Sequence, residues 1–309
     1  MPMSPEADPV SALEAAAWAY AAVVATQREA ADRPWADVFA AAPGRTAVLE
    51  AAGLVRRDGG ELVPHPALGT AEPVGAAAAK LSSLRQAVAA AAGEDGGPVG
   101  WSAQSDAVLL NQGRASAVTG RALATKIVPR LAGLPQRLAA PGSRVLDVGT
   151  GIGALALALA RELPHAEITE IDVLERALEL AKTELADGGA AADRVTVRHQ
   201  DVADLADAAV YDLVWLPAPF LAEDVVLRAL PRLITALAPG GWVVAGTNPA
   251  PQEPLRAAVG RWTALRNGGN TYDSARMATA LGTAGLGDVQ QFPTVPGGPV
   301  LVAGRRPVE

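Results

Sequence analysis

Three closely spaced glycines, Gly149, Gly151 and Gly153, stand among four acids that could serve a bound ligand: Asp147, Glu170, Asp172 and Asp201. The run Val145-Leu146-Asp147-Val148 reads as a buried strand, and Ala154 to Ala160 is a strong helix former. The turn between them would carry a nucleotide-like ligand to a helix N-terminus, with no side chain in the way. Glu167 to Asp172 reads as a second strand, ending in a carboxylate about twenty residues past the turn. In dinucleotide-type sites that carboxylate accepts hydrogen bonds from two ribose hydroxyls. Glu170 shares strand parity with Asp172 and competes for the role; Asp172 is preferred because it ends the strand. Asp201, just past a third strand (Arg194 to His199), suits either ligand contact or a helix N-cap.

Other chemistries lack their residues. The 309-residue chain has no cysteine, which excludes disulfides, zinc thiolates and thiol catalysis. Its three histidines are poorly placed as bases: His65 sits between prolines, His165 follows Pro164 in a turn, and His199 ends a strand. Asp201, Asp204 and Asp207, spaced at three, suit one helix face better than a metal cage, and no metal is expected. A formal charge of -7 disfavours a nucleic acid partner. Long uncharged apolar spans and a signal-peptide pattern are both missing, so a cytoplasmic protein that does not enter membranes is expected.

Two further strands follow. Tyr211 to Leu216 opens into Pro217-Ala218-Pro219-Phe220, and Gly241 to Gly246 is announced by Ala238-Pro239-Gly240. VLDVGTGIG, ITEID, HQDVAD, YDLVWLPAPF and LAPGGWVV thus follow one another. A helical stretch, Asp273 to Leu286, and a strand pair, Val289 to Phe292 with Pro299 to Ala303, complete the series. In this order, the stretch from Arg144 to Arg306 resembles the class I S-adenosylmethionine-dependent methyltransferases.

The resemblance implies an α/β fold: a Rossmann-like seven-stranded sheet over residues 141–309, with S-adenosylmethionine as cofactor. Asp147 would hold the glycine turn and the cofactor's ammonium end. Gly149, Thr150, Gly151 and Gly153 would let backbone amides approach. Asp172 would take the ribose, Val173 one adenine face, and Asp201 beside Val202 the adenine amino group. Leu216 and Pro217 would stand where methyl group and acceptor meet, and Arg114 suits the cofactor's carboxylate.

Residues 1–140 have a different pattern. Ser11 is placed to cap a helix through Leu13, Ala17, Tyr20 and Val24. Ala47 to Pro64 reads helix, strand, tight turn, strand, a small winged-helix pattern. Leu81 to Ala92 is helical and ends in a Gly93–Pro98 turn, and Ser105 to Leu134 is helical again. A mainly α-helical, winged-helix-like domain over residues 1–140 is therefore expected to form a homodimer and cap the substrate. Tyr20, Trp101, Gln112 and Phe220 are candidates for the acceptor pocket. Trp215, Trp242 and Trp262 are further contributors, the first two, inside strands, better suited to a core.

Plant-type O-methyltransferases keep a catalytic histidine just after the fourth strand, but Leu216 to Asp224 contains none. Amino-group and glutamine N-methyltransferases place Asn or Asp before Pro-Pro-Tyr/Phe, and here that residue is Leu216. The acceptor is expected to be a small, aromatic secondary metabolite. The missing base tilts the reading toward a carbon or ring-nitrogen nucleophile, with O-methylation of an acidic phenol as the alternative. Two other classes share features. A cofactor-binding DNA regulator would use the wing, whose only basic residues are Arg56 and Arg57. An NAD-dependent oxidoreductase would need a Tyr–Lys pair, and Lys80, Lys126 and Lys182 lie near no tyrosine.

Overall fold

The computed structural model describes residues 8–65, 68, 76–92, 100–294 and 298–308, with the side chains of 76–82 set aside. The chain divides into two compact units, Met1–Ala92 and Gly93–Glu309. The expected boundary near residue 140 is therefore corrected to about residue 92. The Gly93–Pro98 turn lies outside the described residues.

The N-terminal unit contains α1 (Pro9–Ala30), α2 (Trp35–Ala41), α3 (Pro43–Ala51), β1 (Val55–Asp58), β2 (Glu61–Pro64) and α4 (Ala76–Ala91). Asp8 caps α1, where Ser11 was expected to. Its carboxylate accepts from the N–H groups of Val10 and Ser11 at 3.3 and 3.1 Å, because Pro9 starts the helix earlier than the apolar pattern does. The unit's core joins Ala22, Val23, Phe39, Leu49, Val55 and Leu68. By length and composition α1 could cross a membrane, but its C-terminal half supplies Ala22 and Val23 to this core. The β1–β2 ladder is antiparallel and turns at Gly59 and Gly60, as the wing pattern predicts. Arg56 pairs with Asp58 and Arg57 with Glu50, so acids offset both wing arginines.

The second unit opens with α5 (Asp106–Ala122) and α6 (Leu134–Leu138). The helix expected to run from Ser105 to Leu134 breaks after Ala122 into a π turn, Leu123–Ile127, and a short 3-10 turn carrying Pro129, since proline cannot donate within a helix. There follow β3 (Ser143–Val148), α7 (Ala154–Glu162), β4 (Ala166–Asp172), α8 (Glu175–Ala186), β5 (Val195–His199) and β6 (Tyr211–Pro217). Next come α9 (Glu223–Ala236), β7 (Leu237–Gly246), α10 (Pro254–Arg266), α11 (Ser274–Thr283), β8 (Gly287–Pro293) and β9 (Val300–Arg305).

The seven strands form one sheet in the order β5-β4-β3-β6-β7-β9-β8, with only β9 antiparallel to its neighbours. Both faces are covered, which is why the inner strands are near-continuous apolar runs. Val145, Leu213, Trp215, Trp242 and Val244 face one core with α7. Leu146, Val214, Leu216, Val243 and Ala245 face the other with α9 and α11. Trp215 and Trp242 are thus core residues rather than pocket residues.

The packing of α5 explains the corrected boundary. A Cβ on Gly113 would meet Ile152 Cγ1 at 2.2 Å, and one on Gly120 would meet the Leu155 carbonyl at 2.8 Å. Glycine at both positions lets α5 lie directly on α7, which makes it part of the sheet unit.

Candidate cofactor and acceptor site

The site is built where the chain reverses direction across the sheet, between β3 and β6, at the carboxyl ends of the strands. That is where open α/β sheets take ligands. Gly151 has φ +62 and open space where a Cβ would project, so the turn presents bare backbone outward. Beneath it, Gly153 has φ +76 and is crowded: a Cβ there would lie 3.0 and 3.3 Å from the two carboxyl oxygens of Glu170.

Parallel pairing makes Asp147 the direct neighbour of Glu170 across β3 and β4, with Trp215 on its other side. Thr150 Oγ1 lies 2.9 Å from Asp147 Oδ2 and 3.1 Å from Glu170 Oε2. The Thr150 N–H donates to the Ile171 carbonyl, stitching the turn to β4. Asp172 Oδ2 accepts from the Gly151 N–H at 2.9 Å, and Oδ1 from the Leu174 N–H at 2.8 Å. Each oxygen keeps capacity for a further donor.

Burial sets the electrostatics. It pushes the Asp147 carboxyl well above the ordinary range, and the neighbouring Glu170 adds to the rise. The Glu170 carboxyl is pushed up to about 7 by the same cause. Burial also raises Asp172, with the N–H groups of Leu174 and Gly151 acting against it. Glu170 is fully buried and Asp172 only partly so. Of the two acids that competed for the ribose on sequence grounds, only Asp172 reaches the surface.

The other candidates fall into place unequally. Val173 is exposed beside Asp172 and Val202 is buried. Asp201 caps its short helical turn by accepting from the Ala203 N–H at 2.8 Å. Asp207 is engaged with Arg198 and the Tyr211 hydroxyl. Arg114, expected at the cofactor's carboxylate, forms an ion pair with Glu184 of α8. Gln112 is half-buried on α5, and Tyr20 half-buried on α1 of the other unit. His199 Nε2 lies 3.0 Å from the Val173 carbonyl, and its strand pairs with β4 at Asp172.

Leu216 and Pro217 end β6, both buried. Beyond them Trp101 meets Phe220 edge to face, with centroids 5.5 Å apart. The Trp101 Nε1 is shielded and has no hydrogen-bond partner among the described residues. The segment carrying Trp101 is anchored on two sides: the Gly100 N–H donates to the Arg266 carbonyl, and Arg176 of α8 holds the Gln104 carbonyl and Asp106. Trp262 is 62% exposed on α10 and lines no wall.

Sequence reasoning missed Asn270. Its buried side-chain amide donates to the carbonyls of Ala218 and Leu221 at 2.7 and 2.8 Å, clamping the loop that presents Phe220. The same side chain accepts from the Tyr272 N–H at 2.7 Å. Gly269 precedes it with no room for a Cβ, which would fall 2.0 Å from the Pro219 carbonyl. The Asn-Gly-Gly-Asn run at 267–270 was the available signal.

With this geometry in view, the matches to known proteins are specific. Residues 145–241 match the family described as "Methyltransferase domain". The matched stretch runs from β3 into β7 and takes in the glycine turn, Asp172 and Asp201. A release factor glutamine methyltransferase of Rhodopirellula baltica is 32% identical over 107 residues, 34% of this chain and 36% of that protein. The chain spans between 26% and 38% of the length of three curated relatives, that one, a tRNA1(Val) (adenine(37)-N6)-methyltransferase of Vibrio campbellii and a ribosomal protein L11 methyltransferase of Symbiobacterium thermophilum.

Solved structures match over nearly the whole length. Human N-acetylserotonin methyltransferase, in complex with S-adenosylmethionine, superposes with TM-score 0.68 at 19% identity, covering 99% of this chain and 100% of that one. An O-methyltransferase structure from Nostoc punctiforme gives 0.65 at 18%, covering 96% and 97%. A methyltransferase in calicheamicin biosynthesis, in its S-adenosylhomocysteine-bound form, gives 0.64 at 20%, covering 98% and 100%. At these identities the likeness is one of fold, and it includes the seven-stranded methyltransferase sheet with an N-terminal helical region.

Proposed function

We propose that this methyltransferase moves a methyl group from S-adenosylmethionine to an oxygen of a small acceptor, as a tailoring step in secondary metabolism. The observation that carries the reading is the pairing of Asp172 with the bare Gly151 backbone at the point where strand order reverses. A carboxylate with spare lone pairs beside an open glycine turn fits a ribose next to an extended ligand. Asp172 would hold the ribose, the Gly149–Gly153 turn the chain leading to the sulfur, and Asp147 the cationic end. When bound, the cofactor supplies a methyl group made electrophilic by the sulfonium.

The residues around the acceptor supply position and dryness. Leu216, Pro217 and Ala218 form an apolar floor, and Trp101 with Phe220 an aromatic wall. In-line displacement depends mainly on alignment and exclusion of water, which such a floor provides. An acceptor oxygen could also satisfy the orphaned Trp101 Nε1–H, a reason to expect a polar substituent on an aromatic body. The loop after β6 offers no base, so the acceptor's own acidity has to supply the anion.

The carbon or ring-nitrogen preference drawn from the missing base gives way to the alternative, O-methylation of an acidic phenol. The small-molecule and O-methyltransferase neighbours favour it, and an ionised phenol needs no histidine. The decisive assay incubates the protein with S-adenosylmethionine and a panel of phenols of graded acidity, aliphatic alcohols and electron-rich heteroaromatics. Methyl ethers from the more acidic phenols are expected. Products methylated on ring carbon or nitrogen, with the phenols untouched, would return the first preference.

A homodimer belongs to the same proposal. Val10, Leu13 and Trp18 of α1 are 69%, 69% and 66% exposed, apolar side chains that a second copy could cover. Sedimentation of the full chain and of a Trp18→Glu variant tests it, with dissociation expected in the variant.

A further inference from the structure

The Thr150 hydroxyl touches two carboxyl groups, yet it has one hydrogen to give. If it donates to Asp147 Oδ2, the contact with Glu170 Oε2 is a hydrogen bond only when Glu170 is itself protonated and donates to Thr150 Oγ1. The reverse order needs a proton on Asp147. Two ionised acids at these distances would leave one close contact between a hydroxyl oxygen and a carboxylate with no hydrogen between them. Either way the geometry calls for one proton beyond the hydroxyl's own.

The remaining atoms say which acid holds it. Glu170 Oε1 is buried and has no hydrogen-bond partner among the described residues. An unpartnered carbonyl oxygen of a neutral acid costs far less there than half of an ionised carboxylate. The groups facing Glu170 give it no counter-charge. Asp147 lies beside it on β3, Asp172 follows it on β4, and the Gly153 Cα and the Ala181 methyl of α8 close the space around it. His199, at the end of β5, acts on Asp172 instead. Among the described residues no lysine or arginine forms an ion pair with Glu170.

We propose that Glu170 is a positioning residue that keeps a proton on Oε2 up to the edge of the neutral range. The relay from Glu170 through Thr150 to Asp147 then fixes the glycine turn and leaves the negative charge on Asp147. Burial raises both acids and so favours one shared proton, while the unpartnered Oε1 is what assigns it to Glu170. The proton stands on the geometry alone. The benefit to the cofactor rests on the S-adenosylmethionine reading above.

Two measurements on the full chain without cofactor test the proton. Infrared spectra at pH 6 should show the C=O stretch of a protonated carboxyl, and Glu170→Gln should lose it, since the amide has no carboxyl yet still offers an N–H to Thr150. The Asp172→Asn variant should keep it. Thermal unfolding provides the second. An acid whose folded value is raised from 4.5 to about 7 stabilises the protein below pH 4.5, and that stability is lost as pH rises through about 7. The melting midpoint of the parent should therefore fall between pH 5 and pH 7.5, and fall less in Glu170→Gln.

Calorimetry with S-adenosylmethionine tests the consequence for the site. Glu170→Gln and Thr150→Ser should bind within about threefold of the parent, and Thr150→Val more than about tenfold more weakly, a loss of roughly 1.4 kcal/mol. An unchanged infrared band together with an unchanged pH slope in Glu170→Gln overturns the proposal. So does Thr150→Val binding as tightly as the parent. A parent that fails to bind S-adenosylmethionine, with the band and slope as expected, counts against the cofactor reading and leaves the proton in place.

Discussion

The ends of β4 and β6 face the same side of the sheet and are built on opposite plans. The end of β4 gathers three acids, a threonine and three glycines, with hydrogen bonds linking Thr150 to both Asp147 and Glu170 and the Gly151 N–H donating to Asp172. The end of β6 is Leu216, Pro217 and Ala218, all buried, with its loop held from outside by Asn270. Charge is concentrated where a cationic donor would be held, and is missing where an acceptor would be activated. Such a division suits a reaction whose electrophile arrives already activated. The protein then has to hold one reactant tightly and to shape a dry space for the other.

The strongest way to break this contrast is to remove the charge at the β4 end. Asp172→Ala takes away the proposed ribose acceptor and frees the Gly151 and Leu174 N–H groups. Charge-assisted hydrogen bonds contribute about 1.5–3 kcal/mol each, so S-adenosylmethionine affinity should fall by about 2–4 kcal/mol. Calorimetry showing parental affinity would remove Asp172 from the site. Gly153→Ala attacks the same end through the backbone. Its φ of +76 disfavours any side chain, and its Cβ would press on Glu170. A stability loss of about 1–3 kcal/mol is expected in denaturant unfolding.

At the β6 end, Asn270→Ala should separate positioning from binding. Two carbonyls in the acceptor loop lose their donor, at about 1–3 kcal/mol for each group left buried. Turnover should drop while S-adenosylmethionine affinity in calorimetry stays within a few-fold. An equal loss in both would mean that Asn270 supports the sheet as a whole. The smallest effects are expected at the histidines. His65→Ala and His165→Ala should leave turnover within a few-fold of the parent, and His199→Ala should act on cofactor affinity, since it neighbours Asp172. A base would show itself as a loss of about 10²–10⁴ in turnover with affinity intact.

The contrast also marks how far the sequence could be read. The β4 end was legible because its glycines, Asp147 and Asp172 fall in contiguous motifs whose spacing follows from a strand, a turn and a helix. Glu170 was visible but misplaced. Its burial depends on the parallel register that sets it against Asp147, and neither strand states that register alone. Asn270 was out of reach for a related reason, since it acts on Ala218 from 52 residues away. The boundary near residue 92 depends on Gly113 and Gly120 meeting Ile152 and α7, whereas the helical pattern in the sequence runs on to about residue 140. The seven-stranded sheet, by contrast, was implied by the run of motifs through the family it resembles.

The insertion of β9 between β7 and β8 bears on how the chain folds as it is made. β8 precedes β9 in synthesis, yet its only strand partner is β9, and β7 bonds to β9 on its free side. Until residues 300–305 have left the ribosome, β7 presents an unsatisfied edge and β8 has nothing to pair with. Arg306, which donates to the carbonyls of Ile234, Thr235 and Leu237 at the end of α9, arrives later still. The nascent sheet therefore waits with an open flank, the condition in which strands recruit other chains. Expression yield should be more sensitive to substitutions in residues 300–306 than their modest share of the core suggests.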